Sequence, residues 1–495
     1  MSEHFDYIIV GTGFSGISMA CKLKRRGEDN FVVLDRAEGP GGTWRDNTYP
    51  GVACDIPSHV YSFSFHLNPN WSKFFAPGEE IQQYMLDVIR EEGIEPHIRQ
   101  FNELKHAEWN EAESLWHITT AQGEYTCKYY ISAVGSLTVP TLPDIPGIDT
   151  FNGDKMHTAK WDHSVDLTGK RIAVVGTGAS AIQVIPEMVK IGSEVVVFQR
   201  TPSWIRPRPD YVYSETTKRA FARDHKALER HRENIYWYLE QGFAARRNVA
   251  TYKATATQEA LNHLHNQVED PELRAKLTPD YEIGCKRVLL SNNFYPAIQD
   301  PKVTLETSAL VSMDGNTVTA ASGESYEVDA VVFATGFDAT TAPFAPYIHN
   351  GSGTSLEDHW NVAGMKALDS ITVAGFPNLF IINGPNTSLG HNSTVHIVES
   401  QADFVLDTLD YLEESGYDVF EATQEEEDRY IAEMDAEAEE TIWLSGGCKS
   451  WYFDHKFGRL TTIYPNSAQY FRDHNGVFNP EKYTFRKSER EAVTV

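Results

Sequence analysis

The chain has 495 residues, 41% of them hydrophobic, and carries a formal charge of −27. That length exceeds one ordinary core and predicts two or three domains. The acidic balance excludes general binding to nucleic acid or anionic membranes, which both need a basic surface.

The N-terminus, MSEHFDYIIVG, carries no basic, apolar leader, and no apolar run reaches transmembrane length. The five cysteines, Cys21, Cys54, Cys127, Cys285 and Cys448, form no CxxC pair. The odd count predicts free thiols in a reducing cytoplasm and no disulfide framework. No metal site is predicted.

Residues 5–10, FDYIIV, read as a buried strand, followed by the loop GTGFSG, a helix and a second strand, FVVLD, at 31–35. In this βαβ unit Gly11 permits a tight turn, Gly13 lets a pyrophosphate approach the backbone, and Gly16 lets helix and strand pack closely. Asp35 ends the second strand, where a carboxylate accepts ribose hydroxyls. A dinucleotide with a free ribose diol, such as FAD, fits these features.

Residues 38–65 are rich in Gly, Pro and aromatics and read as an ordered loop. Thr43, Trp44 and Tyr61 lie in it and are candidate cofactor contacts. Asp55 sits amid Val52, Ala53, Cys54 and Ile56. A carboxylate there either has a partner or caps a local turn. A helix is expected over 79–92, then short strands, and TVPTLPDIPG at 138–147 reads as a semi-rigid linker.

A second βαβ unit follows at 170–200, with Gly176, Gly178 and Ser180 in its loop. Its second strand ends in Gln199 and Arg200 rather than an acid. Without the acid a 2′-phosphate is not repelled, and Arg200 either pairs with it or is an ordinary surface arginine. NADP is therefore expected over NAD. Residues 210–275 read as a helical insertion whose aromatic residues serve packing or substrate contact. Lys286 and Arg287 are adjacent cations, a solvated pair or a site. KYYISAVGS at 128–136 and EVDAVVFATGF at 327–337 form a weak internal repeat, each a strand ending in a glycine turn. A long amphipathic helix is expected over 395–415, an acidic helix over 421–440, and fraying from Lys487.

The predicted fold is α/β, with two Rossmann-like dinucleotide-binding domains and a helical insertion. Residues 1–145 and 376–495 are assigned to the FAD-binding domain, and 151–209 and 325–375 to the NADP-binding domain. Residues 210–324 form the insertion and the segment carrying Lys286 and Arg287.

Between the two glycine loops stands FNGDKMHTAKWD, 151–162. Phe151, Gly153, His157, Thr158, Trp161 and Asp162 match the pattern F-x-G-x-x-x-H-T-x-x-W-[P/D] at every specified position. Gly41, Gly42, Trp44, Tyr49, Pro50, Gly51 and Asp55 match G-G-x-W followed by Y-P-G-x-x-x-D. With both loops flanking the fingerprint, and with CKSWY at 448–452, the chain resembles the single-component, flavin-dependent Baeyer–Villiger monooxygenases over at least residues 6–393.

The resemblance implies that NADPH reduces FAD, oxygen adds to the flavin, and a flavin peroxide attacks a ketone to give an ester or lactone, with side sulfoxidation. The cofactors carry the difficult chemistry and the protein supplies orientation and charge. It assigns Arg287 to stabilising the peroxide and adduct, and Asp55 to holding Arg287. Lys286 and Arg200 match positions that take the 2′-phosphate, and Trp451 matches a tryptophan near bound NADP. His157 reads as a hydrogen-bonded hinge residue rather than an acid or base. Rival readings are an N- or S-oxygenating flavin monooxygenase, a flavin reductase making only peroxide, and a nucleotide-binding redox sensor without turnover.

Overall fold

The computed structural model describes residues 2–488. The first unit begins with β1 (Glu3–Val10), whose last four residues are buried, as expected of a central parallel strand. It continues through α1 (Phe14–Arg26), β2 (Phe31–Leu34), α2 (Thr43–Asp46) and α3 (Gly78–Glu91), then β3 (Ile98–Arg99), β4 (Leu104–Asn110), β5 (Leu115–Thr120) and β6 (Glu124–Ser132). The second unit holds β7 (Asp154–His157), β8 (Arg171–Val175), α4 (Ala181–Lys190) and β9 (Glu194–Phe198). After β10 (Ile205–Arg206) come α5 (Glu215–Arg223), α6 (His225–Glu240), α7 (Phe243–Arg246), α8 (Ala250–Gln267) and α9 (Pro271–Leu277). Then follow β11 (Leu289–Leu290), α10 (Phe294–Ile298), β12 (Val303–Glu306), the hairpin strands β13 (Leu310–Asp314), β14 (Thr317–Ala320) and β15 (Ser325–Glu327), and β16 (Ala330–Phe333). The chain then returns to the first unit with β17 (Ile348–His349), α11 (Leu356–Trp360), β18 (Leu379–Ile381) and α12 (Thr394–Ser415).

The first sheet has the order β17-β4-β5-β6-β1-β2-β3, with β18 also on β6. The second has the order β12-β9-β8-β16-β7, and all its pairs are parallel. The internal repeat now has a structural meaning. β6 lies parallel to β1 and β16 lies parallel to β8, each beside the strand that enters a glycine loop.

Two assignments change. Residues 342–375, assigned to the second domain, pack on the first sheet: Phe344, Trp360 and Val373 share a core with Ile8, Trp109 and Tyr130, and β17 pairs with β4. Once the chain has recrossed after β16, the open face of the first sheet is where these apolar residues can leave water. Residues 303–324, assigned to the insertion, belong to the second unit. β12 extends its sheet, and Leu310, Met313 and Val318 pack with Phe151 and Phe198. The helices of the insertion span 215–277.

The proline-rich linker does not run alone. Thr141 donates its N–H to Gly336 O at 2.9 Å, and Asp338 to Val139 O at 3.1 Å. The two crossings between units are thus laced side by side, and His157 meets them edge-on through Phe337, centroids 5.9 Å apart. Fraying is not seen at Lys487 and Ser488, where the Ser488 N–H bonds Asp418 Oδ1 at 2.6 Å; the rest of that expectation lies outside the described residues. Among the described residues no helix is long and apolar enough to cross a membrane. Nor, among them, do three or more His, Cys, Asp or Glu gather to hold a metal ion.

Candidate active site

The glycine loops divide their labour. Gly11 has φ +113°, and a methyl group there would stand 2.4 Å from Ala133 O; one on Gly16 would stand 1.8 Å from Gly11 O. Those positions are closed by packing. A methyl on Gly13 would meet only Gly42 Cα at 3.9 Å, and one on Gly178 would meet nothing within 4 Å. Gly176 repeats Gly11, with φ +110° and Ala334 O at 2.7 Å. The open glycine in each loop leaves room for a pyrophosphate against the backbone, so the residues present fit two dinucleotides.

Asp35 is buried, and its carboxylate is already busy. Oδ2 accepts from the Thr12 N–H at 2.9 Å and from the Thr12 hydroxyl, and Oδ1 from the Ala37 N–H at 2.9 Å and Arg45 Nη1 at 3.3 Å. These four donors fill its lone-pair sites. The long Arg45 contact is the one a ribose hydroxyl would replace. Thr43 starts α2, and the Trp44 indole N–H donates to Tyr61 Oη at 3.3 Å.

Asp55 has its partner. Arg287 Nε donates to Oδ2 at 2.8 Å and Nη2 to Oδ1 at 2.6 Å, joining a loop of the first unit to a segment of the second. Three ties fix the Asp55 loop. Tyr49 Oη donates to Gln183 Oε1 at 2.7 Å, Gln183 Nε2 to Ala53 O at 3.0 Å, and Arg208 Nη2 to Cys54 O at 2.8 Å. Burial alone would raise the Asp55 carboxyl, but the Arg287 and Arg208 charges outweigh it and hold the group below its ordinary value. The Asp55 carboxylate raises Arg287 further, so the guanidinium stays charged. The side chains remain 23% and 36% exposed, so water reaches the pair.

Arg200 is exposed after β9, and the Lys286 Nζ lies 4.8 Å from the centre of the Tyr281 ring. Burial and the Arg200 charge both push the Lys286 amine down. An anion between two such cations relieves both effects. Ser180 precedes α4 without capping it, and Trp451 is 40% exposed. His157 Nδ1 accepts the Ala159 N–H at 3.0 Å, and burial lowers the basicity of the ring.

The expectation of free thiols throughout is corrected. Cys285 and Cys448 form a disulfide across 163 residues, with Cα atoms 6.1 Å apart, while Cys21, Cys54 and Cys127 are free and buried. Spacing rules register local pairs, whereas this pair is made by the C-terminal segment folding over the segment that carries Lys286 and Arg287. Sequence reasoning also missed Gln183 and Arg208, which carry no local signal, and Tyr452, which is buried beside the singled-out Trp451.

The family described as pyridine nucleotide-disulphide oxidoreductase matches residues 8–260. A Baeyer–Villiger monooxygenase of Pseudomonas aeruginosa is 40% identical over 483 residues, covering 97% of this chain and 92% of its own. One of Streptomyces coelicolor is 41% identical over 475 residues, covering 95% and 90%. Cyclohexanone monooxygenase from Rhodococcus sp. Phi1 bound to NADP+ superposes with a TM-score of 0.87 at 27% identity, over 98% of this chain and 100% of that one. Oxidized steroid monooxygenase bound to NADP gives 0.86 at 26%, over 97% and 99%. Similar over nearly its whole length to named members, and carrying the fingerprint between two glycine loops, the chain belongs to the Baeyer–Villiger monooxygenases.

Proposed function

We propose that this enzyme holds FAD on the first unit and NADPH on the second, and uses O2 to convert ketones to esters or lactones, with side sulfoxidation. The observation that carries the proposal is the bidentate Asp55–Arg287 pair, a fixed and fully charged guanidinium where the two units meet. Bound FAD supplies oxygen activation and NADPH supplies the hydride.

The chain's own residues bind, orient and stabilise charge. The Gly11–Gly16 loop, Asp35, Thr43, Trp44 and Tyr61 take the flavin dinucleotide. Gly176, Gly178 and Ser180 take the NADP pyrophosphate, Arg200 and Lys286 its 2′-phosphate, and Trp451 would lie near the bound NADP. Arg287 offers N–H donors to negative charge that develops on oxygen, and Asp55 keeps the fork aimed. The laced crossings let the units adjust while NADP stays bound and water stays out. The proposed compartment is the cytoplasm.

An N- or S-oxygenating monooxygenase has no need of a clamped arginine, and neither has a nucleotide-binding redox sensor without turnover. The deciding experiment supplies NADPH, oxygen and a panel of ketones, with products identified by gas chromatography. Esters or lactones are expected in proportion to NADPH oxidised. Amine hydroxylation without ester, or peroxide alone, would overturn the proposal.

A further inference from the structure

We infer that Arg208 is a positioning residue for Asp55, fixing the peptide from which the carboxylate reaches Arg287; this rests on the role proposed for that pair. Asp55 aims Arg287, so something must aim Asp55. Arg208 Nη2 donates to Cys54 O at 2.8 Å, and the Cys54 N–H donates to Ala76 O at 3.0 Å. The Cys54 carbonyl shares one rigid plane with the Asp55 nitrogen and Cα. Holding that oxygen therefore sets the direction in which the Asp55 side chain leaves the backbone. Residue 54 is tied on both sides, and residue 55 through its carboxylate.

Arg208 is itself held on every side. Its guanidinium lies over the buried Phe75 ring, with Cζ 4.6 Å from the ring centre, and its Nε is 3.8 Å from Asp210 Oδ2. Asp210 Oδ1 in turn accepts the Phe75 N–H at 3.2 Å. The Arg208 backbone exchanges two bonds with Asn292: its N–H donates to Oδ1 at 3.0 Å, and its carbonyl accepts from Nδ2 at 2.8 Å. These bonds prolong the parallel pairing of β10 with β11, in which Arg206 stands opposite Leu290. Arg287 leads into β11 and Arg208 follows β10. One two-stranded ribbon thus sends an arginine from each end onto neighbouring residues of the Asp55 loop. The insertion backs the ribbon: on α8, Glu259 accepts from Arg206 Nε at 2.8 Å, and His263 Nε2 donates to Ser291 O at 2.7 Å.

Arg208→Ala in the FAD-loaded enzyme is expected to lower ester formed per NADPH oxidised about threefold to tenfold, the effect of one lost hydrogen bond, with hydrogen peroxide making up the difference. A general loss of folded enzyme lowers ester and NADPH oxidation together and leaves that ratio alone. A second readout needs no turnover. Of the three free, buried thiols, Cys21 lies on α1 and Cys127 on β6, and Cys54 alone stands at the clamp. Iodoacetamide labelling of the native enzyme, read by peptide mass spectrometry, is expected to reach Cys54 about tenfold faster in Arg208→Ala, while Cys21 and Cys127 keep their wild-type rates. Arg208→Lys, a milder change that keeps a charged donor, is expected to shift both readouts the same way by less. An unchanged product ratio, an unchanged Cys54 rate, a parallel rise at all three thiols, or a lysine variant no better than alanine would overturn the inference. A wild-type protein that forms no ester refutes the proposed reaction instead, and the labelling rates alone then decide the clamp.

Discussion

Arg287→Ala tests the centre of the proposal on two independent scales. The first is stability. Arg287 gives Asp55 two charge-assisted bonds, at 2.8 and 2.6 Å. Breaking a fully buried pair costs about 3–5 kcal/mol. Here water reaches both side chains, at 23% and 36% exposure, and screening lowers the expected loss to about 2 kcal/mol. The pH dependence has a definite sign. In the wild type the folded carboxyl lies below its unfolded value, so its contribution is present above about pH 4 and lost as pH falls through the folded pKa. In the variant burial persists while the strongest opposing charge is gone, so the folded pKa rises above the unfolded one. The group then costs stability as pH rises from about 4, its unfolded value, toward the raised folded one, and the gap between the two proteins widens over that range. Urea denaturation of the apoproteins across that range reads it. The second scale is catalysis. Losing a charge stabiliser of this kind lowers rate by about 10²–10³. Ester formation is expected to fall by that factor, and stopped-flow reduction of the flavin by NADPH by much less, because that step develops no oxyanion. A normal ester yield, or a stability gap flat in pH, would refute the reasoning.

Arg200→Ala removes a charge-assisted bond of about 1.5–3 kcal/mol, so KM for NADPH is expected to rise about tenfold to a hundredfold and that for NADH far less. An equal rise for both would mean Arg200 does not read the phosphate. Gly16→Ala and Gly178→Ala separate packing from binding. The first places a methyl 1.8 Å from Gly11 O and is expected to cost about 3 kcal/mol or prevent folding. The second meets nothing within 4 Å, so stability is expected to hold within about 0.5 kcal/mol while NADP+ affinity, read by fluorescence titration, falls. Unaltered NADP+ affinity would show that Gly178 does not face the pyrophosphate. Cys448→Ser opens a 163-residue loop, for which chain entropy allows a loss of up to about 5 kcal/mol. A lowered urea midpoint, and three alkylatable thiols in unfolded but unreduced wild type, are expected; five would mean that the disulfide does not form.

Much of the site was legible because short-range physics wrote it. The separate roles of Gly11, Gly13 and Gly16 follow from a turn one residue wide, and the structure shows two closed positions and one open one. Asp55 stood out as a charge in an apolar run, which water cannot satisfy; the partner named through the family resemblance, Arg287, is the residue bonded to it. Asp35 was legible in place but not in state, since nothing in FVVLD reveals that Thr12, Ala37 and Arg45 already occupy its oxygens.

The amino-acid sequence by itself determined the two nucleotide units, the joint between them and the Asp55 carboxylate in its apolar run. Strand patterning, glycine geometry and the cost of an isolated charge act over a few residues and do not depend on what packs above. Only the tertiary structure decided that residues 342–375 cover the first sheet, that Gln183 and Arg208 pin the Asp55 loop, and that Cys448 bonds Cys285. Those outcomes depend on which sheet faces remain open once neighbouring elements have docked. That is a property of the assembled layers, and no local stretch of residues encodes it.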